Sequence, residues 1–216
     1  MSKSVGRPKY PRVLIVEDQR MELLFLKELI SKKGKYKIIY TTENASLAEI
    51  YCLRNPIHLI LMDICTAERE SGLKAAEIIK KKYPEIKIII ITSMPDESFI
   101  RRAKEIGCES FWYKNSEDYD LIDIMDRTMK GESIYPESSP AVNIGVCKSD
   151  KFTENEITIL RYLVEGLNYR EIGEKMEISE FSVKYHLKKI LKKTGYDNPL
   201  KLVVALVEKK FILPGY

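Results

Sequence analysis

The sequence has no long apolar run and contains few cysteines and histidines. Its longest hydrophobic stretches have the length of β-strands, so neither a secretory signal nor a membrane span is expected, and we predict a cytoplasmic protein. The four cysteines, Cys52, Cys65, Cys108 and Cys147, show no paired spacing, and only two histidines accompany them. Reduced thiols are therefore the simplest interpretation, because neither a disulfide framework nor a cysteine–histidine metal site is indicated.

The chain also lacks a strong excess of one charge. Its formal net charge is +4 over 216 residues, a length that favours two domains. The basic excess lies at the ends: residues 1–12 hold four basic and no acidic side chains, residues 13–151 hold 21 and 23, and residues 152–216 hold 11 and 9. Many solvated surfaces have such an asymmetry, so by itself it supports nucleic-acid binding only weakly.

Apolar runs alternate with amphipathic segments between residues 12 and 130. The runs are rich in β-branched and aromatic residues and are predicted to be strands: 12–16, 36–41, 58–62, 87–92 and 110–113. The segments that follow each run are predicted to be helices: 20–31, 44–54, 73–82, 96–106 and 116–130. This alternation predicts an α/β fold, a doubly wound five-stranded parallel sheet with helices on both faces.

The pattern changes after residue 130. The segment GESIYPESSPAVNIGVCKSDK, residues 131–151, is rich in glycine, proline and serine and is predicted to be a linker. Every later element is predicted to be helical: 154–165, 169–176, 180–194 and 199–210. The predicted organisation is a flexible basic tail (1–11), an α/β domain (12–130), the linker (131–151) and an all-α four-helix domain (152–216).

Polar side chains follow the predicted strands at the points where the strands end. Glu17 and Asp18 follow the first strand and Asp63 follows the third, while Thr92 ends the fourth and Lys114 follows the fifth. Because the carboxyl ends of parallel strands meet at one edge of a sheet, these residues are expected to lie together. Three converging carboxylates repel each other unless a cation neutralises them, and their oxygen ligands suit Mg²⁺. With a hydroxyl and an ammonium nearby, Asp63 is a candidate nucleophile that forms an aspartyl phosphate.

This arrangement resembles the receiver domain of response regulators. That family has an acidic pair, a phosphoacceptor aspartate, a threonine or serine, an aromatic residue and a lysine at these strand ends. The matching positions are Glu17, Asp18, Asp63, Thr92, Phe111 and Lys114. The resemblance implies the flavodoxin-like strand order 2-1-3-4-5 and phosphotransfer from a sensor histidine kinase to Asp63. It also implies a switch in which Thr92 moves toward the phosphoryl group while Phe111 turns inward. The implied Mg²⁺ ligands are Glu17, Asp18, Asp63 and the backbone carbonyl of Cys65.

Two departures from the family pattern keep an alternative open. Residues 64–72, ICTAERESG, lack the usual Met-Pro, and Gly72 lies nine residues after Asp63 where eight are usual. Asn115 replaces the proline that usually follows the lysine, so we expect a trans peptide bond there. The alternative is an atypical receiver that works without phosphorylation. A phosphohydrolase of the haloacid dehalogenase type is disfavoured, because Cys65 stands where such enzymes need a second aspartate, and no enzyme activity is predicted.

The C-terminal part has the pattern of a helix-turn-helix. Thr153 with Glu156 forms a candidate capping box, and Ser179 is a candidate cap for helix 180–194. Gly173 is expected where two helices approach closely, since glycine costs about 1 kcal/mol in a helix. Helix 180–194 has an apolar stripe and, on the opposite side, a face formed by Lys184, Tyr185, Lys188, Lys189 and Lys192. Five lysines in all lie between residues 184 and 193. The helix predicted over residues 199–210 would complete the core and offer a dimer face.

This segment resembles the DNA-binding domain of LuxR/NarL-type regulators, whose pattern includes L-T-x-R-E, E-I-A and I-S-x-x-T-V-K-x-H. The match rests on Thr153, Glu156, Glu171, Ile172, Ile178, Ser179, Ser182, Val183, Lys184 and His186. The resemblance implies contacts with base edges from Lys184, Tyr185 and Lys188. It implies contacts with phosphates from Ser179, Ser182, Lys189, Lys192 and Lys193. The implied function is a DNA-binding response regulator that controls transcription, with DNA, a sensor kinase, a second copy of the chain and RNA polymerase as expected partners.

Overall fold

The computed structural model describes residues 10–69, 71–114 and 120–214, which form two compact units. The first unit comprises the described residues up to Thr92 together with Glu97–Glu137. The second comprises Ser93–Asp96 and the described residues from Ser138 onward. Most of the predicted basic tail and the Lys114–Asn115 peptide bond lie outside the described residues. In the part of the chain that is described, no helix has the length and apolar character needed to cross a membrane.

A five-stranded parallel sheet forms the centre of the first unit. Its strands are β1 (Arg12–Val16), β2 (Lys37–Thr42), β3 (Leu59–Asp63), β4 (Lys87–Thr92) and β5 (Ser110–Tyr113). Their order is β2-β1-β3-β4-β5, which confirms the predicted topology. All five residues of the central strand β3 are buried, as expected for a parallel strand covered on both faces.

Helices follow the strands and cover both faces of the sheet. They are α1 (Arg20–Lys33), α2 (Ala48–Arg54), α3 (Gly72–Lys82), α4 (Glu97–Ile106) and α5 (Leu121–Met129). On one face, Ile15 and Leu61 belong to a buried cluster with Leu26 of α1 and Met125 of α5. Ile60 points to the opposite face and is also fully buried, because successive side chains of a strand alternate between faces.

The two largest differences from the predicted helix boundaries are at the starts of α2 and α5. The segment predicted as one helix over 44–54 begins with a 3₁₀ turn, Ala45–Leu47, and α2 follows it. Asn44 caps that turn by accepting a hydrogen bond from the backbone N–H of Ser46, so the chain tightens before the helix starts. The helix predicted over 116–130 begins at Leu121 in the structure, after Asp120 as its N-cap, and residues 115–119 are outside the described residues.

Ordered structure extends into the predicted linker from both sides. Ile134 is buried in the first unit, where its N–H donates to Ser110 Oγ at 3.1 Å and its carbonyl accepts from the Phe111 N–H at 2.9 Å. In the second unit, β6 (Asn143–Ile144) and β7 (Cys147–Lys148) form an antiparallel hairpin. Residues 131–151 are predicted to be a linker or partly ordered hinge, and the structure places ordered residues at both of its ends, because single apolar side chains among the glycines and prolines pack into the cores of the two units.

The second unit is built mainly from four helices. They are α6 (Glu154–Val164), α7 (Tyr169–Met176), α8 (Glu180–Thr194) and α9 (Pro199–Glu208). Their buried residues form one cluster that includes Ile159, Leu160, Ile172, Val183, Leu187, Ile190, Leu202 and Leu206. The capping box of Thr153 and Glu156 and the Ser179 cap are both confirmed. α7 begins with a second capping box, formed by Asn168 and Glu171.

Candidate functional site

Three carboxylates converge at the carboxyl edge of the sheet in the first unit. Glu17 and Asp18 directly follow β1, and Asp63 is the last residue of the neighbouring strand β3. One ligand oxygen from each side chain lies within 4.8 Å of the others. Glu17 and Asp63 are almost fully buried, at 0% and 2% exposure. The predicted acidic cluster is therefore present, and its oxygen donors are of the type that Mg²⁺ prefers.

Lys114 follows β5 and lies between two of these carboxylates. Its Nζ donates to Glu17 Oε2 at 2.5 Å and to Asp63 Oδ2 at 3.0 Å. The Lys114 side chain is only 3% exposed, so these charge-assisted bonds are well shielded from water. Its backbone N–H donates to the Thr92 carbonyl, which holds the end of β5 beside the end of β4. Residues from four strand ends are thus brought to one place.

Lys114 does not offset the burial of the two carboxylates that it contacts. Burial and, to a lesser extent, the nearby Glu17 raise the pKa of the Asp63 carboxyl to about 7 against the attraction of Lys114. Burial also raises the pKa of Glu17, again opposed by Lys114. Burial disfavours the charged form of Lys114, but Asp63 and Glu17 outweigh that effect and raise the pKa of its ammonium. A bound cation would favour the charged forms of Asp63 and Glu17 and so lower both of their pKa values.

The loop after Asp63 is one residue longer than the family pattern, yet it returns to the same edge. A Cβ added to Gly72 would lie 1.8 Å from the Asp63 carbonyl oxygen, so only glycine fits where α3 starts. Between them, Cys65 forms an isolated antiparallel bridge with Ser71. Glu68 has a left-handed φ of 61°, which shows where the loop accommodates its irregular path. The inserted residue is thus absorbed within the loop and leaves the close approach of Gly72 to Asp63 intact.

The loop is fastened to the connection between β2 and α2. The Ala67 N–H donates to the Glu43 carbonyl at 2.9 Å, and the Ala45 N–H donates to Thr66 Oγ1 at 3.1 Å. The Asn44 amide donates to Glu68 Oε2 at 3.0 Å. These three contacts give the altered loop a fixed position beside the acidic cluster.

Thr92 and Phe111, the other predicted site residues, are both buried. Thr92 ends β4 with 1% exposure. Phe111 pairs with Ile90 across β4 and β5, and its ring lies 5.0 Å from that of Tyr113 in an edge-on contact. With 1% exposure, the Phe111 ring lies inside the first unit, which is the orientation that the resemblance implies for the switched state.

In the second unit, α7 and α8 have the geometry of a helix-turn-helix. Glu177 is the C-cap of α7 and has the left-handed conformation, with φ 56°. Ser179, two residues later, is the N-cap of α8. A Cβ added to Gly173 would lie 2.7 Å from the Ile178 carbonyl oxygen. The predicted close approach at Gly173 is therefore confirmed, and it sets how tightly the turn packs on α7.

The face of α8 opposite the core is rich in lysine. Val183, Leu187, Ile190 and Thr194 are buried, and the exposed residues of the opposite face include Lys184, Tyr185, Lys188, Lys189 and Lys192. Lys189 Nζ lies 4.5 Å from the centroid of the Tyr185 ring, and Lys184 pairs with Glu180 at 2.6 Å. The structure therefore brings five of the predicted DNA-binding side chains to one surface.

The other three predicted DNA-binding residues have contacts within the unit. Ser179 Oγ accepts the N–H of Ser182 at 3.0 Å, so the two serines form the cap of α8. Lys193 is half-buried, and its Nζ donates to Glu156 Oε2 at 2.6 Å and to the Lys151 carbonyl at 3.1 Å. A phosphate contact from Lys193 would first require that ion pair to open.

Three features were not predicted from the sequence. The Asn168–Glu171 capping box has a sequence signal, the spacing N-x-x-E before an apolar run. The ion pair between Glu17 and Lys114 has none, because it depends on strand register and side-chain reach. Phe181 is 79% exposed near the start of α8, and its only signal is that it falls outside the apolar stripe of that helix.

Comparison with protein families identifies both units. The model of the response regulator receiver domain matches residues 13–126. The model of bacterial regulatory proteins of the luxR family matches residues 150–206. A curated relative, the response regulator protein VraR of Staphylococcus aureus (strain Mu3), is 27% identical over 208 residues, which cover 93% of this chain and 98% of VraR.

Solved structures agree with this assignment at the level of fold. A structure of two RcsB dimers bound to two parallel DNAs matches with a TM-score of 0.61 at 20% identity, covering 92% of this chain and 98% of that chain. The response regulator ChrA of a heme-sensing two-component system matches with a TM-score of 0.51 at 21% identity, covering 95% of this chain and all of that chain, 100%. The chain belongs to the response regulators, and it combines a receiver domain with a DNA-binding domain of the luxR family.

Proposed function

We propose that this regulator controls transcription by binding DNA through α8, and that phosphorylation of Asp63 by a sensor histidine kinase activates it. The observation that carries the proposal is the convergence of Glu17, Asp18 and Asp63, whose oxygens lie within 4.8 Å, with Lys114 in contact with two of them. Burying carboxylates this close together disfavours folding, because each loses its hydration, and such a costly cluster points to a functional site.

Glu17, Asp18 and Asp63 would hold Mg²⁺, with the backbone carbonyl of Cys65 as a further ligand. The raised pKa values of Asp63 and Glu17 support this assignment, because a cation would favour their charged forms, and so does the oxygen donor set of the three side chains. When bound, the cation would stabilise the negative charge on the phosphoryl oxygens during transfer.

In the proposed transfer, an Asp63 carboxylate oxygen forms a bond to phosphorus while the bond between the donor and phosphorus breaks. The donor keeps that electron pair. Lys114 Nζ, 3.0 Å from Asp63 Oδ2, is placed to bind a phosphoryl oxygen, and the Thr92 hydroxyl would bind another. Movement of Thr92 toward the phosphoryl group, with the Phe111 ring already buried, would transmit the change from the site to the surface of the first unit.

On DNA, the exposed face of α8 would lie in the major groove. Lys184, Tyr185 and Lys188 would contact base edges, as expected for the N-terminal half of a recognition helix. The predicted phosphate contacts come from Ser179, Ser182, Lys189 and Lys192, and from Lys193 once it leaves Glu156.

The proposed active form is a homodimer on DNA in the cytoplasm. RcsB is seen as dimers bound to DNA, and here α9 exposes two apolar residues one turn apart, Leu200 at 68% and Val204 at 47%. Such a pair supports a contact between two copies of the second unit. RNA polymerase is a further proposed partner.

A second candidate function is an atypical receiver that works without phosphorylation. The contact between Lys114 and Glu17 favours it, since Lys114 is shared between two carboxylates and is not reserved for Asp63. The altered loop over residues 64–72 points the same way. In this version the first unit would promote dimerisation, and DNA binding would not depend on Asp63.

Intact-mass measurement after incubation with a small-molecule phosphodonor and Mg²⁺ separates the two functions. We expect wild-type protein to gain the mass of one phosphoryl group and Asp63→Asn to gain none. Omission of Mg²⁺ serves as the matched control and should abolish the gain. An unmodified wild-type protein that binds DNA tightly would instead support the atypical receiver.

A further inference from the structure

Phe181 is a large apolar side chain on the surface of α8 that neither the core nor the resemblance accounts for. It is 79% exposed, whereas Val183, two residues later, is fully buried. A single exposed hydrophobic residue is common on protein surfaces and needs no function. The position of Phe181 on this particular helix is what gives it meaning.

Phe181 lies in the middle of the lysine-rich face. At about 100° per residue, it points within about 20° of both Lys188 and Lys192, and within about 40° of Tyr185. It lies about 160° from the buried Val183. It is also the second residue of α8, and the first turns of a recognition helix are the part that reaches base edges. DNA held by these lysines would therefore meet the Phe181 ring.

A phenyl ring has no hydrogen-bond donor or acceptor, so it can read DNA only through apolar contact. The apolar group that the major groove offers is the C5 methyl of thymine. We infer that Phe181 is a specificity residue of α8 that recognises a thymine methyl in each half-site. This inference rests on DNA binding through α8 and is independent of phosphorylation at Asp63.

The test begins with duplexes selected from a randomised pool by the full-length wild-type protein, with and without phosphodonor. Each thymine of the selected duplex is then replaced singly by deoxyuridine, which removes only the methyl group. We expect one thymine per half-site at which this replacement weakens wild-type binding about three- to fivefold, as expected for loss of one buried methyl. Phe181→Ala should bind thymine and deoxyuridine equally at that position and keep the wild-type ratio at all others.

Three further variants make the result specific. Phe181→Leu keeps an apolar contact and should retain part of the discrimination. Val146→Ala alters an apolar residue of similar exposure, 85%, in the same unit but outside α8. It should leave the ratio of affinities for thymine and deoxyuridine unchanged at every position. Lys192→Ala should reduce the slope of log affinity against log salt by about one, as expected for the loss of one phosphate contact. It should not change the discrimination between thymine and deoxyuridine at the position assigned to Phe181.

The inference is overturned if Phe181→Ala discriminates thymine from deoxyuridine as wild type does, or if it changes only self-association in sedimentation. A wild-type protein that selects no duplex would overturn it as well, and would also refute DNA binding through α8. If wild-type selects a duplex but only Asp63→Asn alters its affinity, the function stands and the assignment of Phe181 fails.

Discussion

Buried carboxyl groups of the two units have net pKa shifts of opposite sign. In the first unit, Asp63 is buried beside Glu17, and burial raises its pKa to about 7. In the second unit, burial alone would raise the pKa of Glu156, but Lys193 and the Thr153 N–H outweigh it and lower that pKa. In the second unit Lys193 and the Thr153 N–H outweigh burial at Glu156, whereas in the first unit Lys114 does not outweigh it at Asp63. A buried carboxyl whose pKa stays raised is a candidate functional group.

The largest expected effect is at the glycine that contacts Asp63. Gly72→Ala should destabilise the first unit by more than about 3 kcal/mol, because its Cβ would overlap the Asp63 carbonyl oxygen at 1.8 Å. Trp112 in β5 is the only tryptophan, so its fluorescence during urea unfolding reports on this unit. Lys74→Ala, at an exposed position in the same turn of α3, is the control and should change stability by less than about 0.5 kcal/mol. Equal stabilities of the two variants would contradict the packing assigned to Gly72.

Neutralising Asp63 should stabilise the first unit at neutral pH. A carboxyl whose folded pKa is raised favours folding when protonated, and this contribution is lost as pH rises from the usual aspartate pKa of 3.8 through the folded pKa of about 7. Asp63→Asn should therefore raise the free energy of unfolding at pH 7.5 by about 1 to 4 kcal/mol, and by much less at pH 4. The measurement is Trp112 fluorescence in urea, without divalent cations.

The same variant sharpens the assignment of the cation site. Mg²⁺ should stabilise wild type at pH 7.5, because a ligand of the folded state alone shifts the unfolding equilibrium, and should stabilise Asp63→Asn less. The stability of wild type could instead prove independent of pH between 4 and 7.5 and independent of Mg²⁺. That result would show that the Asp63 pKa is not raised and that the cluster binds no cation.

The ion pair of Glu156 should show the opposite pH dependence. Glu156→Gln should destabilise the second unit by about 1 kcal/mol at neutral pH, since Gln keeps the cap on Thr153 but loses the charge opposite Lys193. With a folded pKa below 4.5, the Glu156 contribution is present above that value and is lost as pH falls through the folded pKa. Hydrogen exchange of the α8 amides measures the stability of the second unit. A difference between wild type and Glu156→Gln that grows on acidification would refute the pairing.

The smallest expected effect is at the glycine of the turn. Gly173→Ala brings a Cβ within 2.7 Å of the Ile178 carbonyl oxygen, but alanine also favours the helix by about 1 kcal/mol. We expect the free energy of unfolding of the second unit, measured by hydrogen exchange of the α8 amides, to fall by less than about 1 kcal/mol. This is far less than the effect expected for Gly72→Ala. A loss as large as that of Gly72→Ala would mean that the turn is as rigid as the edge of the sheet.

The sequence predicted the fold where local patterns and long-range packing agree. The buried run of β3, the capping box at Thr153 and the N-cap at Ser179 are set by residues close in sequence, so their spacing was informative. The convergence of Glu17 with Asp63 followed from a general property of parallel sheets. These predictions needed only periodicity and topology.

The features that escaped prediction depend on contacts between distant residues. Glu17 and Lys114 are separated by 97 positions, and their bond depends on the reach of both side chains. Ile134 looked like part of a linker because its neighbours are polar, yet it is hydrogen-bonded to the start of β5. The ion pair of Lys193 with Glu156 likewise depends on how α6 and α8 pack, so a lysine predicted to contact phosphate is bonded within the second unit.

A DNA-binding titration tests most directly whether Asp63 controls the second unit. Fluorescence anisotropy would measure the affinity of wild type and of Asp63→Asn for one selected duplex, each with and without phosphodonor and Mg²⁺. We predict that the phosphodonor tightens wild-type binding about 5- to 150-fold, the usual range of allosteric coupling, and leaves Asp63→Asn unchanged. Identical affinities for phosphorylated and untreated wild type, with phosphorylation verified by mass, would contradict the account.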